Sequence, residues 1–268
     1  MVKVIPVINN KGGVGKTTST INLAAGLARE GRRTLLIDLD GQASASLALG
    51  IARNELRPSS ADVLFGRVEI EAAIRPTSVE GLDLLTSSLD LADFDLRTAR
   101  VPQREYLLRS MLEPVYEAYD HILLDCAPST SLLSINALLA ADALIIPLHP
   151  SYLGIEGMMS LGEAVRRIRT ALGHVAPILG ILLTMVNYAE EGTDTIVQEI
   201  RSYYGNRVFD TEIYPDVALV DAPGFGQTIY EFAPESQGAQ QYAALTREVL
   251  ERIDRLVHAG TAMNEAAS

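Results

Sequence analysis

Eight consecutive residues, Lys11-Gly12-Gly13-Val14-Gly15-Lys16-Thr17-Thr18, constrain this chain more than any other stretch. They follow a β-branched apolar run, Val4–Ile8, that reads as a buried strand. They lead into a segment, Thr17–Glu30, that places Ile21, Leu23, Ala24, Leu27 and Ala28 on one helical face. Gly12, Gly13 and Gly15 let the backbone turn so that successive N–H groups point inward, and the helix aims its positive dipole end at the same spot. A lysine and a hydroxyl directly after such a turn complete a phosphate-binding loop, or P-loop. Lys16 suits the β- and γ-phosphates of a nucleoside triphosphate, and Thr17 suits the accompanying Mg²⁺. A random chain matches six such positions at a rate on the order of 10⁻⁶ per site. ATP and Mg²⁺ are the cofactors this loop predicts.

The rest of the chain keeps the same alternation. Thr34–Ile37, Leu82–Thr86, Ile122–Asp125, Ala143–Pro147 and Ile178–Met185 read as further strands. Helical periodicity marks Ala61–Phe65, Ile70–Ile74, Gln103–Tyr119, Ser131–Ala140, Gly157–Leu172, Thr193–Tyr204 and Gln237–Val257. Strands that are apolar throughout, alternating with helices, predict an α/β fold with a mostly parallel twisted sheet and helices on both faces. No repeat or linker divides the 268 residues, so one P-loop domain over residues 1–258 is expected, with a disordered tail at 259–268.

Composition narrows the function classes. A hydrophobic fraction of 48% with 21% charged residues fits a globular chain with a full core. The longest apolar stretch, Ala137–Leu148, contains Asp142 and falls short of the roughly 20 residues a membrane span needs. The first residues run straight into a strand without a signal-peptide pattern, so a cytoplasmic setting is expected. The single cysteine, Cys126, excludes an internal disulfide and reads as a small buried residue. A net charge of −12 argues against nucleic-acid binding through the overall field, so any such binding needs a local patch. Only three lysines occur, and two of them, Lys11 and Lys16, lie in the loop.

The loop also departs from the common P-loop pattern. Asn10 stands where a first glycine is usual, and Lys11 is an additional lysine opening the glycine run. With that lysine, Lys11–Thr18 resembles the deviant Walker A motif of the ParA/MinD superfamily, closest to its small ParA/Soj-like partition or cargo-positioning ATPases. Asn22-Leu23-Ala24 and Asp38-Leu39-Asp40 resemble that group's first helix and switch I. Ile122-Leu123-Leu124-Asp125 resembles its Walker B strand, and Ile145-Ile146-Pro147 the next strand. Leu183-Thr184-Met185 and the segment from Asp221-Ala222-Pro223 to Tyr230 also match, so residues 1–257 are covered in order.

The resemblance implies roles for particular residues. Lys11 reaches the phosphates of the opposite subunit in an ATP-bound homodimer, the part an arginine finger plays elsewhere. Lys16 holds the β- and γ-phosphates, Thr17 the Mg²⁺ and Thr18 the α-phosphate. Asp40 orients the attacking water, a positioning task that an ordinary carboxylate can perform. Asp125 ends an apolar strand, where a carboxylate is costly without a partner, and it resembles the aspartate that meets Mg²⁺ through water. The base is expected near Asn187 and near Asp221 and Pro223. Around switch I the group usually reads Asp-Pro-Gln-Gly, whereas this chain has Asp40-Gly41-Gln42-Ala43.

The C-terminal stripe Leu245, Val249, Leu250, Ile253, Leu256 and Val257 is expected to cover the sheet rather than anchor a membrane, because Glu248, Glu251 and Asp254 offset the arginines opposite it. Two positions where the group carries DNA-binding arginines read Ala189-Glu190-Glu191 and Tyr214-Pro215-Asp216-Val217-Ala218. Arg166, Arg167, Arg169, Arg201 and Arg207 remain as candidate DNA contacts. One expectation is therefore a slow ATPase that segregates or positions a cargo by nucleotide-switched, non-specific DNA binding on the nucleoid. A ParB-like or cargo-adaptor protein would stimulate its hydrolysis. The other is a nucleotide-switched factor that recruits a protein, as MinD-like members do, without touching DNA.

Overall fold

The computed structural model describes residues 3–128, 131–173 and 175–267, and their side chains apart from those of residues 153, 160, 164 and 259–267. Among the described residues the strands are β1 (Val4–Val7), β2 (Thr34–Leu39), β3 (Arg75–Pro76), β4 (Leu82–Leu85), β5 (His121–Cys126), β6 (Leu144–Leu148) and β7 (Ile178–Leu183). They form one sheet in the order β3-β4-β2-β5-β1-β6-β7. Every pairing is parallel except that of β3 with β4 at the edge. Strands β1, β2, β5 and β6 are buried along their whole length, as a sheet covered on both faces requires.

The helices are α1 (Lys16–Arg29), α2 (Ser44–Ala48), α3 (Ser60–Leu64), α4 (Ile70–Ala73), α5 (Phe94–Arg97), α6 (Leu107–Leu112), α7 (Leu132–Ala140), α8 (Tyr152–Leu172), α9 (Thr193–Tyr204), α10 (Val217–Asp221), α11 (Ile229–Phe232) and α12 (Gln237–Ala267). On one face Ile21, Leu23 and Leu27 of α1 pack with Tyr242, Leu245, Val249 and Ile253 of α12. Gly26 brings those helices together, since a Cβ there would overlap Thr246 Oγ1. On the other face Leu64, Ile70, Phe94, Leu108 and Leu138 cover Leu35, Ile37 and Leu124. A third cluster seats Met158 and Leu161 of α8 and Val197 and Ile200 of α9 against Ile181 and Leu183. The α12 stripe is therefore core, and no helix among the described residues is long and apolar enough to cross a membrane.

Three elements differ from the sequence reading. The helix expected over Gln103–Tyr119 is only α6, flanked by 3₁₀ turns at Arg104–Tyr106 and Glu113–Val115, because Pro114 has no N–H to donate. Helix α8 begins at Tyr152, five residues before the expected start, with Ser151 capping it by accepting from Gly154 N. Helix α12 runs to Ala267 rather than Val257, so helical backbone occupies most of the segment expected as a disordered tail; Ser268 lies outside the described residues.

Register fixes where the loops meet. Asp38 of β2 pairs with Asp125 of β5, and Asp125 in turn with Val7 of β1, so the C-terminal ends of these three strands lie side by side. Ligands of open α/β sheets sit in that crevice.

Candidate nucleotide site

The loop leaves β1 and enters α1 through glycines that take the conformation only glycine adopts cheaply. Gly13 has φ 71° and Gly15 has φ 78°. Gly15 is the N-cap of α1 and no side chain caps it, so the first-turn amides stay free for an anionic oxygen. Asn10 Nδ2, buried at the start of the loop, has no hydrogen-bond partner among the described residues. Lys16 Nζ bridges back to the carbonyl of Lys11 at 2.8 Å. Its burial lowers the lysine's proton affinity, while Asp125, Cys126 and Asp40 nearby oppose the loss. Open amides, an unpartnered amide donor and a desolvated lysine make a donor-rich cradle that fits the phosphates of a nucleotide.

Thr17 Oγ1 donates to Asp125 Oδ2 at 2.8 Å, and Thr20 Oγ1 reaches Asp125 Oδ1 at 3.2 Å. The expected hydroxyl and the expected carboxylate thus meet, 108 residues apart in sequence. Burial pushes the Asp125 carboxyl well above the usual carboxylate range, Asp38 adds to the rise, and the threonine hydroxyls pull against it. A cation in the crevice would relieve that cost, so the pair Thr17 and Asp125 suits Mg²⁺.

Asp38 was not singled out from sequence, yet it organises switch I. Its Oδ1 accepts from Asp40 N at 3.0 Å, and its Oδ2 accepts from Ser46 N at 2.9 Å and Ser46 Oγ at 2.7 Å. Burial raises this carboxyl too. A carboxylate at the end of an apolar strand was the available signal, the same one that marked Asp125. Asp40 is half-buried, and its Oδ1 accepts from Gln42 N at 2.9 Å. Another residue not singled out is Thr184, whose hydroxyl donates to Val14 O at 3.0 Å from the end of β7 and so steadies the loop. Lys11 packs over Gly157 of α8, where an added Cβ would lie 3.6 Å from Lys11 Cβ.

The expected base contacts separate. Pro223 lines a cleft of about 190 Å³ together with Thr17, Thr18 and Asn22, and Asp221 is exposed at the end of α10. Asn187 lies in the turn after β7, its side chain closed on Glu190 Oε1 at 2.9 Å and on Ala189 N at 3.2 Å. Cys126 is buried, its Sγ directed at Leu124 O, and burial raises its thiol far out of the reactive range.

The arginines divide as well. Arg166, Arg167 and Arg169 are exposed on α8, with Arg167 near Glu163 at 3.5 Å, and Arg207 is exposed. Arg201 is tied inward instead: it holds Glu212 at 2.7 Å and donates to Phe209 O and Asp210 O.

Comparison with known proteins agrees with this geometry. Residues 2–178 match the AAA domain family AAA_31. The chromosome partitioning protein ParA of Caulobacter vibrioides (strain NA1000 / CB15N) is 36% identical over 253 residues, covering 94% of this chain and 95% of the relative. The sporulation initiation inhibitor protein Soj of Bacillus subtilis (strain 168) is 37% identical over 249 residues, covering 93% and 98%. Among solved structures, cobyrinic acid a,c-diamide synthase from Mycobacterium smegmatis with bound ATP analog and magnesium superposes with a TM-score of 0.82 at 28% identity, over 93% of this chain and 94% of that one. The septum site-determining protein MinD of Pyrococcus horikoshii OT3, complexed with Mg-ADP, gives 0.74 at 25% identity over 96% and 98%. Sheet order, loop geometry and these matches converge: the chain belongs to the ParA/MinD superfamily of ATPases.

Proposed function

We propose that this chain is a ParA-type ATPase that binds Mg-ATP, dimerises around it and uses slow, partner-stimulated hydrolysis to segregate or position a cargo. The observation that carries the reading is the loop itself, with Lys16 and Lys11 in one turn and Thr17 hydrogen-bonded to Asp125. Bound Mg-ATP supplies the transferable γ-phosphoryl group and the cation that neutralises its charge. This chain's residues do the rest. The loop amides of Gly12 to Thr18 and the Lys16 ammonium hold the phosphate oxygens. Thr17 and Asp125, hydrogen-bonded to one another here, are the residues that would hold the cation, which would neutralise phosphate charge. Asp40 orients the attacking water, its backbone fixed by Asp38. Lys11, seated over Gly157, swings to the phosphates of a second subunit. Asp221 and Pro223 flank the base side.

Light scattering of Asp40→Ala with Mg-ATP tests the dimer. Twice the monomer mass supports the reading, and a monomer at every nucleotide concentration sinks it.

A second reading has its own support. The charge is −12, and Arg201 is held by Glu212, so fewer cations are free for DNA than the sequence implied. The chain would then recruit a protein partner directly. ATP-dependent retention on non-specific duplex DNA at low and moderate salt separates the two, because cation–phosphate binding weakens steeply with salt.

A further inference from the structure

We infer that Asn22 is a positioning residue that ties the phosphate loop to the base-side segment and so lets the site distinguish a nucleoside triphosphate from bare phosphates. Asn22 lies one turn beyond Thr18 on α1 and is buried. Its Nδ2 donates to Thr18 O at 2.9 Å. Its Oδ1 accepts from Ile229 N at 2.9 Å, across 207 residues of sequence. Both ends of one amide are therefore committed, one to the last residue of the loop and one to the first residue of α11.

The amide it satisfies matters. Ile229 N is a first-turn N–H of α11, beside a cap in which Thr228 N and Oγ1 both donate to Glu231 Oε2. Removing Asn22 strands that N–H in the interior, since Ile229 is fully buried. Upstream of Ile229, the same segment carries Pro223 and then Gly226, which touches Gly50 at the end of α2 so closely that a Cβ on Gly226 would lie 2.7 Å from Gly50 Cα. The segment is thus held at two points, by Asn22 from α1 and by Gly50 from the switch I side. Ser19, on α1 as well, meets Tyr242 OH of α12 at 3.1 Å. That bond also anchors α1 but reaches no base-side residue, which makes it a comparator.

The inference rests on the reading of Asp221 and Pro223 as the base side. Its test compares affinities for Mg-ATP and Mg-tripolyphosphate, since tripolyphosphate engages the loop alone. Asn22→Ala should weaken ATP about tenfold, the loss expected for one well-placed hydrogen bond, and leave tripolyphosphate affinity unchanged. Tyr242→Phe should lower the melting temperature without moving the ratio. If Asn22→Ala weakens both probes equally, or neither, the tie is refuted. Hydrogen exchange of the unmodified protein needs no variant to fold. Because tripolyphosphate engages the loop alone, it should protect only the loop amides, while Mg-ATP should also slow exchange of amides 222–232; slowing of 222–232 by tripolyphosphate overturns the inference. The double variant Asp221→Ala, Pro223→Ala separates the two failures. If it leaves ATP affinity intact, the base-side reading fails; if it weakens ATP while Asn22→Ala does not, only the tie fails.

Discussion

Substituting Gly226 by alanine tests how tightly the turn after α2 and the 222–232 segment are joined. Gly226 has φ 68°, and its added Cβ would lie 2.7 Å from Gly50 Cα and 3.1 Å from Gly50 N. Both are backbone atoms, so no side chain can move aside. Gly31 is the control: φ 77° and nothing within 4 Å of an added Cβ. Placing alanine in the left-handed region costs about 1–2 kcal/mol. Loss of unfolded-state freedom returns about 0.4–1 kcal/mol. Gly31→Ala should therefore destabilise by about 0–1.6 kcal/mol. Gly226→Ala adds the steric overlap, about 1–3 kcal/mol by analogy with overpacked cores, for a sum of about 1–4.6 kcal/mol. Equilibrium urea denaturation of both variants, with ligand absent, measures the difference directly. Equal losses for the two glycines would refute the argument, because they would mean that the loops part without cost.

Further outcomes follow from the same contacts. Lys16→Ala should abolish tight ATP binding, by about 1.5–3 kcal/mol or more, while Asp40→Ala should bind ATP and hydrolyse it slowly; isothermal titration and phosphate release check the pair. Arg201→Glu should cost on the order of 2 kcal/mol of stability in urea, below the range for a fully buried pair because Arg201 is partly exposed, whereas Arg166→Glu and Arg169→Glu should leave stability within about 0.5 kcal/mol. Glu248 provides a pH signature. Burial raises its carboxyl, but the amides of Thr211 and Asp210 and the Arg252 guanidinium outweigh that and hold it below the usual range. A lowered folded value contributes stability above the unfolded value, near pH 4, and loses it as pH falls through the folded one. The stability gap between wild type and Glu248→Gln should thus narrow on acidification, and parallel curves would contradict the assignment.

The loop was legible because each of its residue types performs a backbone-level task that does not depend on distant partners. Asp125 was legible for a similar reason, since a carboxylate closing an apolar strand needs an explanation wherever it occurs. Asp38 met the same criterion but was read only as part of the switch I turn; its partner Ser46 lies eight residues on, inside a helix too short to register as periodic. Long-range pairings were not legible at all. Nothing local to Arg201 announces Glu212, and nothing local to Asn22 announces Ile229, because only the finished fold brings them together. Helix limits failed where a residue contradicted the pattern: Pro114 cut one helix short, while Gly154 and Gly157 disguised the first turns of α8.

The two changes in switch I redistribute its constraints. Ala43 occupies the position where the group pattern has glycine, and it keeps a glycine-like backbone with φ 57° while fully buried as the N-cap of α2. That conformation costs a non-glycine residue about 1–2 kcal/mol. Gly41 stands where the pattern has proline, yet nothing in its surroundings demands glycine: an added Cβ would meet Ala92 N at 3.6 Å and Leu91 Cβ at 3.9 Å, ordinary contacts, and its φ lies outside the left-handed region. The chain therefore carries strain just beyond Gln42 and extra freedom just after Asp40. Local propensity alone would let such a turn open. What closes it is Asp38, whose carboxylate gathers the Asp40 amide and both donors of Ser46 across the turn. Because Asp38 also neighbours Asp125 in the β2–β5 register, the carboxylate that holds this turn shut stands beside the one proposed to meet Mg²⁺. The shape of this loop is thus fixed less by its own residues than by one buried carboxylate.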